Sequence, residues 1–300
     1  MRNIQDLADC IAQHAREDGF HSTALPHVRL ARSAAPTLPM PAAYTPSLCL
    51  IAQGEKEAQL GSHRLSYAPG QYLLAAVDLP VMGSVTKASR QAPYYCLILD
   101  LDRAAVADLV ATDPAPGTDR PPPAFGLIVA PAHPELVDAA CRLLALLDDE
   151  KDATALAPLI EREILWRLLR SPAGPILRHI AATDSHAARI ERAISWLREH
   201  FAKTVSVDYL AALAGMSPSA FHEHFKAVTG LSPLRYRSQL RLQEARRLML
   251  SEGLEAAHAG FEVGYNSPSQ FSREYNQAFG LPPVRDITRL RTIGGLQSVA

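Results

Sequence analysis

From Ser47 to Asp102 the apolar residues come in short runs, "SLCLIAQG", "EKEAQL", "HRLSY", "APGQYLLAA", "VMGSVT" and "YYCLILDLD", set apart by Gly, Pro and Ser. Closely spaced strands punctuated in this way predict a compact antiparallel barrel or sandwich. The period then lengthens. "PELVDAACRLLALLDDE" and "ATALAPLIEREILWRLLR" return Leu, Ile and Trp every three or four residues, which predicts two amphipathic helices. "DPAPGTDRPPPAFG" (113–126) breaks regular structure before them, and "SPAGP" (171–175) closes the pair. The connection to a second domain is expected between Ser171 and Ala187, giving domains 1–186 and 187–300. Nearly everything beyond it reads as helix: Ile190, Ile194, Trp196 and Leu197 share a face, and Ser206 is placed to cap a helix carrying Leu210 and Leu213.

Within this helical region a single pattern occurs twice. "SPSAFHEHF" begins at Ser217 and "SPSQFSREY" at Ser267, each preceded by a short helical stretch and a glycine, Gly215 or Gly264. Serine caps free backbone N–H groups, proline suits the first helical position, and glycine permits the sharp turn ahead of them. Helix, tight turn and second helix form a helix-turn-helix, whose second helix can enter a DNA major groove. At 100° per residue Phe221 and Phe225 share one face, as do Phe271 and Tyr275, and these face inward. A polar stripe runs beside them: Ser219, His222, Glu223 and Lys226 in the earlier copy, and Ser269, Ser272, Arg273 and Asn276 in the later, with Gln270 at its edge. Arginine grips guanine and glutamine grips adenine through paired hydrogen bonds, while Lys226 suits a phosphate and Glu223 a cytosine. Arg273 taken alone serves equally well as a surface ion-pair partner. Between the copies, "SPLRYRSQLRLQEARRLML" predicts one long helix bearing Arg235, Arg237, Arg241, Arg246 and Arg247. About 18 residues of helix span about 27 Å, near the roughly 34 Å between successive major-groove segments on one DNA face.

Charge points the same way. The net charge is only −1, but residues 1–186 hold 16 Lys/Arg against 21 Asp/Glu, and residues 187–300 hold 14 against 10. A basic bias confined to the helical region fits a polyanionic partner. The four cysteines, Cys10, Cys49, Cys96 and Cys141, stand at least 39 residues apart, without a CxxC pair or zinc-ligand spacing. That spacing predicts a reducing, cytoplasmic setting. The N-terminal stretch is amphipathic and mixed in charge, unlike a signal peptide, and no apolar run is long enough to span a membrane.

Residues from about 189 to 291, through "LAALAGMSPSAFHEHFKAVTGLSP", "RLQEARRLML" and "VGYNSPSQFSREYNQAFGLPP", resemble the DNA-binding region of the AraC/XylS family of transcriptional regulators. The resemblance implies two helix-turn-helix units on adjacent major-groove segments, with base-facing positions at Ser219, His222, Glu223, Ser269, Gln270 and Arg273. With the stripe and the helix starts, the residues expected at the DNA are Ser217, Ser219, His222, Glu223, Lys226, Ser267, Ser269, Gln270 and Arg273. The chain departs from the family at "PPVRDITRLR", where a Tyr-Arg often follows the last proline pair. "PSLCLIAQGEKEAQLG", "LSYAPGQYLLAAVDLPV" and "APYYCLILDLD" resemble the cupin-like N-terminal domain of one AraC-type subfamily. That resemblance implies a sensory barrel with a small-molecule pocket and a helical dimer surface.

The expected fold is therefore α+β: an N-terminal cupin-like β-barrel with helices, then an all-α domain with two helix-turn-helix motifs joined by a long helix. The expected function is a DNA-binding transcription regulator, an activator by resemblance, that responds to a small-molecule effector. Its expected partners are double-stranded DNA, RNA polymerase and a second copy in a homodimer, with no membrane and no cofactor. A ligand-independent regulator and a cupin-type enzyme fused to a DNA module stay as alternatives. The enzyme reading has little support, because His63 is the barrel's sole histidine between Ser47 and Asp102, and the two histidines of "HEH" at 222–224 lie about 200° apart on a helix. Candidate effector contacts are Cys49, Gln53, Tyr72, Tyr94 and Cys96, polar or reactive tips on apolar strands. Core packing competes with that role for each cysteine, and capture of an electrophile needs an accessible thiolate.

Overall fold

The computed structural model describes residues 1–61, 63–113, 126–181 and 186–298. Their contacts gather into two compact units, Met1–Ala188 with Ala227–Gly230, and Arg189–Lys226 with Leu231–Ala300.

The first unit opens with helix α1 (Ile4–His14), started by Asn3, whose side chain accepts from the amides of Gln5 and Asp6 while Asp6 accepts from the amide of Asn3. Among the described residues, ten strands follow in two antiparallel sheets. Strands β1 (Gly19–Ser22), β2 (Val28–Ser33) and β3 (Met40–Tyr44) precede the strands legible in the sequence. Those are β4 (Ser47–Gln53), β5 (Glu55–Leu60), β6 (His63–Tyr67), β7 (Gln71–Ala75), β8 (Leu79–Lys87) and β9 (Tyr94–Asp100). After helix α2 (Arg103–Thr112), strand β10 (Leu127–Pro131) completes a six-stranded sheet of order β1-β2-β9-β4-β7-β10; the other sheet runs β3-β8-β5-β6. Strand β6 packs on β7 and β10, and Leu73, Cys96, Ala58, Tyr67 and Val81 are among the residues buried in this unit.

Helix α1 lies on β4 and β9, and α3 (Pro134–Ala145) packs on α1 and on α4 (Glu150–Leu169). The helix pair expected from the lengthened period is thus present. "SPAGP" ends it as expected, but Gly174 then opens a further helix, α5 (Gly174–Ala181), which packs on α2 and α4. Most of the Pro-rich piece, residues 114–125, lies outside the described residues.

The second unit is helical: α6 (His186–His200) from Arg189 on, α7 (Val207–Leu213), α8 (Pro218–Thr229) up to Lys226, α9 (Pro233–Arg247), α10 (Ala256–Glu262), α11 (Pro268–Phe279) and α12 (Pro283–Ser298). Ser206 caps α7 by accepting from the amide of Tyr209 at 3.1 Å. The long helix between the repeats is α9, extended by a wider π-helical turn over Leu248–Glu252 that stops at Gly253, whose φ is 72°. Among the described residues, no helix is long and apolar enough to cross a membrane.

Candidate nucleic-acid interface

Each copy of the repeat builds its turn with the same backbone bonds. In the earlier copy Gly215 N–H donates to Ala212 O at 3.0 Å and Met216 N–H to Ala211 O at 2.9 Å. In the later, Gly264 N–H donates to Phe261 O and Tyr265 N–H to Gly260 O, both at 2.9 Å. Paired bonds of this spacing end a helix on a left-handed residue, and φ is 64° at Gly215 and 91° at Gly264. Ser217 and Ser267 then cap α8 and α11, each hydroxyl accepting at 3.4 Å from the amide three residues on. The aromatic positions turn inward as their spacing requires. Phe221, Phe225, Phe271 and Tyr275 are fully buried, with Phe225 edge-on to Tyr236 of α9 and Tyr275 edge-on to Phe279.

The polar stripes face outward. Ser219, His222, Glu223 and Lys226 are exposed on α8, and Ser269, Gln270, Ser272, Arg273 and Asn276 on α11. The sequence did not mark the carboxylate that organises the later helix. Glu274 accepts from Ser238 Oγ on α9 at 2.6 Å, from Tyr265 OH in the turn at 2.9 Å and from Gln270 Nε2 at 3.0 Å. Burial works to raise its pKa, but these hydrogen bonds and the Arg273 charge outweigh it and hold the carboxyl below its usual range. A depressed folded value means stabilisation that is present above the ordinary value of 4.5 and is lost as pH falls through the folded value. Thermal melts of wild type and Glu274→Gln should therefore differ at neutral pH and converge in acid.

The five arginines of α9 take different places in the packed unit. Arg241 is buried, donating through Nε to Phe201 O at 2.7 Å and through NH2 to Ala202 O at 2.8 Å, so it closes the end of α6. Arg246 is buried against Asp286, and Arg247 is exposed but donates to Glu244 and Glu252. Arg235 remains exposed and Arg237 half-buried. The interior positions of a helix between two packed repeats need donors for stranded carbonyls and carboxylates, and a guanidinium supplies five.

A sequence model described as the AraC-type transcriptional regulator N-terminus matches residues 24–176, just over half the chain. The chain belongs to the AraC-type transcriptional regulators. A helix-turn-helix domain model matches residues 210–287 of this AraC-type chain, which takes in both turns and both exposed stripes. The HTH-type transcriptional activator RhaS of Escherichia fergusonii is 31% identical over 144 residues, 47% of this chain and 51% of that protein. RhaS of Escherichia coli O1:K1 / APEC is 29% identical over 153 residues, 50% of this chain and 53% of that protein. The match thus spans about half the length of these curated relatives. The fold is also similar to apo ToxT of Vibrio cholerae strain SCE256, at a TM-score of 0.55 and 8% identity, covering 90% of this chain and 99% of that one. Wild-type ToxT of the same strain, solved with an unsaturated fatty acid bound, gives 0.54 and 8%, covering 91% and 96%.

In the AraC-type N-terminal portion, the five expected effector contacts do not form one group. Register sets Leu50 beside Tyr72 and Leu97, and Cys49 beside Leu73 and Ile98, so Tyr72 and Cys49 point to opposite faces of the sheet. Tyr72 hydrogen-bonds Ser171 at 2.7 Å and lines a cavity of about 220 Å³ with Trp166, Arg170 and His133. On the other face Cys49, Tyr94 and Cys96 are buried. The Cys49 thiol beside it and burial push the Cys96 thiol well up. Both thiols are buried, whereas capture of an electrophile requires an accessible thiolate. Gln53 follows a bulge and donates to Pro93 O at 2.7 Å. His63 is exposed, and among the described residues no group of three or more His, Cys, Asp or Glu is placed to hold a metal.

Proposed function

We propose that the chain is a sequence-specific regulator of transcription that binds double-stranded DNA through α8 and α11. The observation that carries this reading is the repeated turn, which twice buries an aromatic face and exposes a polar one at the same positions. An exposed, rigidly based helix with hydroxyl, amide and guanidinium groups is the equipment of major-groove recognition. The base-facing residues are Ser219, His222 and Glu223 on α8 and Ser269, Gln270 and Arg273 on α11, with Lys226 reaching phosphate and Ser217 and Ser267 at the helix starts near the backbone. The later helix, with Arg273 and Gln270 where the earlier has Glu223 and Ala220, supplies more of the affinity.

Residues 187–300 form the DNA-binding domain and 1–186 a regulatory domain that takes a small-molecule effector and pairs in a homodimer. The relatives' description as activators supports activation through RNA polymerase and a role other than catalysis. Effector control requires a ligand that binds two arrangements of the protein with different affinity.

Arg273→Ala tests the reading. It should weaken binding to the preferred site by about 1–3 kcal/mol and relax preference at one base pair in a competition assay. Equal weakening on every sequence would make Arg273 a phosphate contact.

A further inference from the structure

The two recognition helices differ in how their side chains are held. In the later copy Gln270 Nε2 donates to Glu274 Oε1 at 3.0 Å, one helical turn away, while Glu274 Oε2 accepts from Ser238 at 2.6 Å and Tyr265 at 2.9 Å. The earlier copy has none of these groups: Ala220 stands for Gln270, His224 for Glu274 and Met216 for Tyr265. Ser238 lies on α9 and Tyr265 in the turn, so the carboxylate is fixed from two other elements before it meets the amide.

We propose that Glu274 is a positioning residue that fixes the polarity of the Gln270 amide, so that the later helix selects adenine at one base pair. A glutamine amide can be turned end for end, and its two orientations offer opposite patterns to a base edge. A carboxylate only accepts, so it holds the nitrogen end of the amide toward itself. One Nε2 hydrogen is thereby used. The remaining hydrogen and Oε1 stay on the exposed side, and that donor and acceptor pair matches N7 and the N6 amino group of adenine. Without Glu274 both amide orientations are available, and adenine loses its advantage over bases of reversed pattern. Ser238 and Tyr265 act one step further back, keeping the carboxylate from swinging toward solvent. The inference rests on the DNA-reading proposal above and adds a residue that touches no base.

The test compares base preference at every position of a selected site for wild type, Gln270→Ala, Glu274→Gln and Glu274→Ala, all in the 300-residue chain. Gln270→Ala identifies the base pair concerned. Glu274→Gln, which keeps shape but can donate to the amide oxygen, should cut adenine preference there by about five-fold or more, leaving preference at the Arg273 position intact. Glu274→Ala should give the same single-position relaxation, and the double variant Gln270→Ala/Glu274→Gln should add nothing to Gln270→Ala. Wild-type adenine preference retained in both Glu274 variants overturns the inference, and so does a uniform loss across all positions accompanied by a lower melting temperature. A wild-type protein without preference at the Gln270 position overturns the DNA-reading proposal as well, which separates the two failures.

Discussion

Replacing Asp286 with alanine is expected to destabilise the helical unit by about 3–5 kcal/mol, the range for breaking a buried ion pair by removing one member. Asp286 is 4% exposed. It accepts from Arg246 Nε at 2.8 Å, from Arg246 NH2 at 3.0 Å and from Tyr275 OH at 2.8 Å, so it joins α9, α11 and α12 at one point. Arg246 also lies 4.5 Å from the ring centre of Phe279. Removing the carboxylate breaks a buried, doubly hydrogen-bonded ion pair and frees the base of the later recognition helix. Chemical denaturation followed by circular dichroism measures the loss, and DNA binding should fall with it. Replacing both Arg246 and Asp286 with apolar residues of similar volume should restore most of the stability, because breaking a buried ion pair costs more than replacing it whole. A double variant as unstable as the single one would assign the loss to packing.

Gly264→Ala should be the next most damaging change, and more damaging than Gly215→Ala although both glycines occupy the same turn position. Left-handed backbone at a residue with a side chain costs about 1–3 kcal/mol in either copy. At Gly215 a Cβ would meet nothing within 4 Å. At Gly264 it would run into the carbonyl oxygen of Ala202 and lie 2.7 Å from Arg241 NH2, the group that holds that carbonyl. Neither neighbour can move freely, since Arg241 is 6% exposed and bonded to Phe201 as well. The expected difference in stability between the two variants is at least about 1 kcal/mol, read as a shift in denaturation midpoint at unchanged slope.

The features of this molecule that were legible in the sequence are those specified by local chemistry. Glycine, a short gap, Ser-Pro and aromatics four apart are enough to define each recognition helix, because caps, turns and helical faces depend on near neighbours. The strands from Ser47 onward announced themselves through punctuation. Strand β2, "VRLARS", carries two arginines, and β1 is a short exposed edge, so neither stood out from coil. In β4 six consecutive residues are buried, and the absence of alternation hid which face Cys49 and Tyr72 would take.

The candidate site followed the same division. Exposure of Gln270 and Arg273 came from helical periodicity, but the grip of Glu274 on Gln270 depends on Ser238, 36 residues away, which spacing alone does not bring near. Arg241 and Arg246 were placed by the sequence on the helix between the repeats without a role. Only the packed structure shows that one closes a helix end and the other neutralises a buried aspartate.

That one chain reads DNA with two unlike helices is tested by selecting bound sequences from a random pool of double-stranded DNA with the 300-residue chain. Two blocks of preferred bases are expected, centred about 10.5 base pairs apart, one helical turn, with Arg273→Ala and Gln270→Ala each altering the same block and Glu223→Ala altering the other. A pool that stays random, or one block altered by all three substitutions, would contradict it.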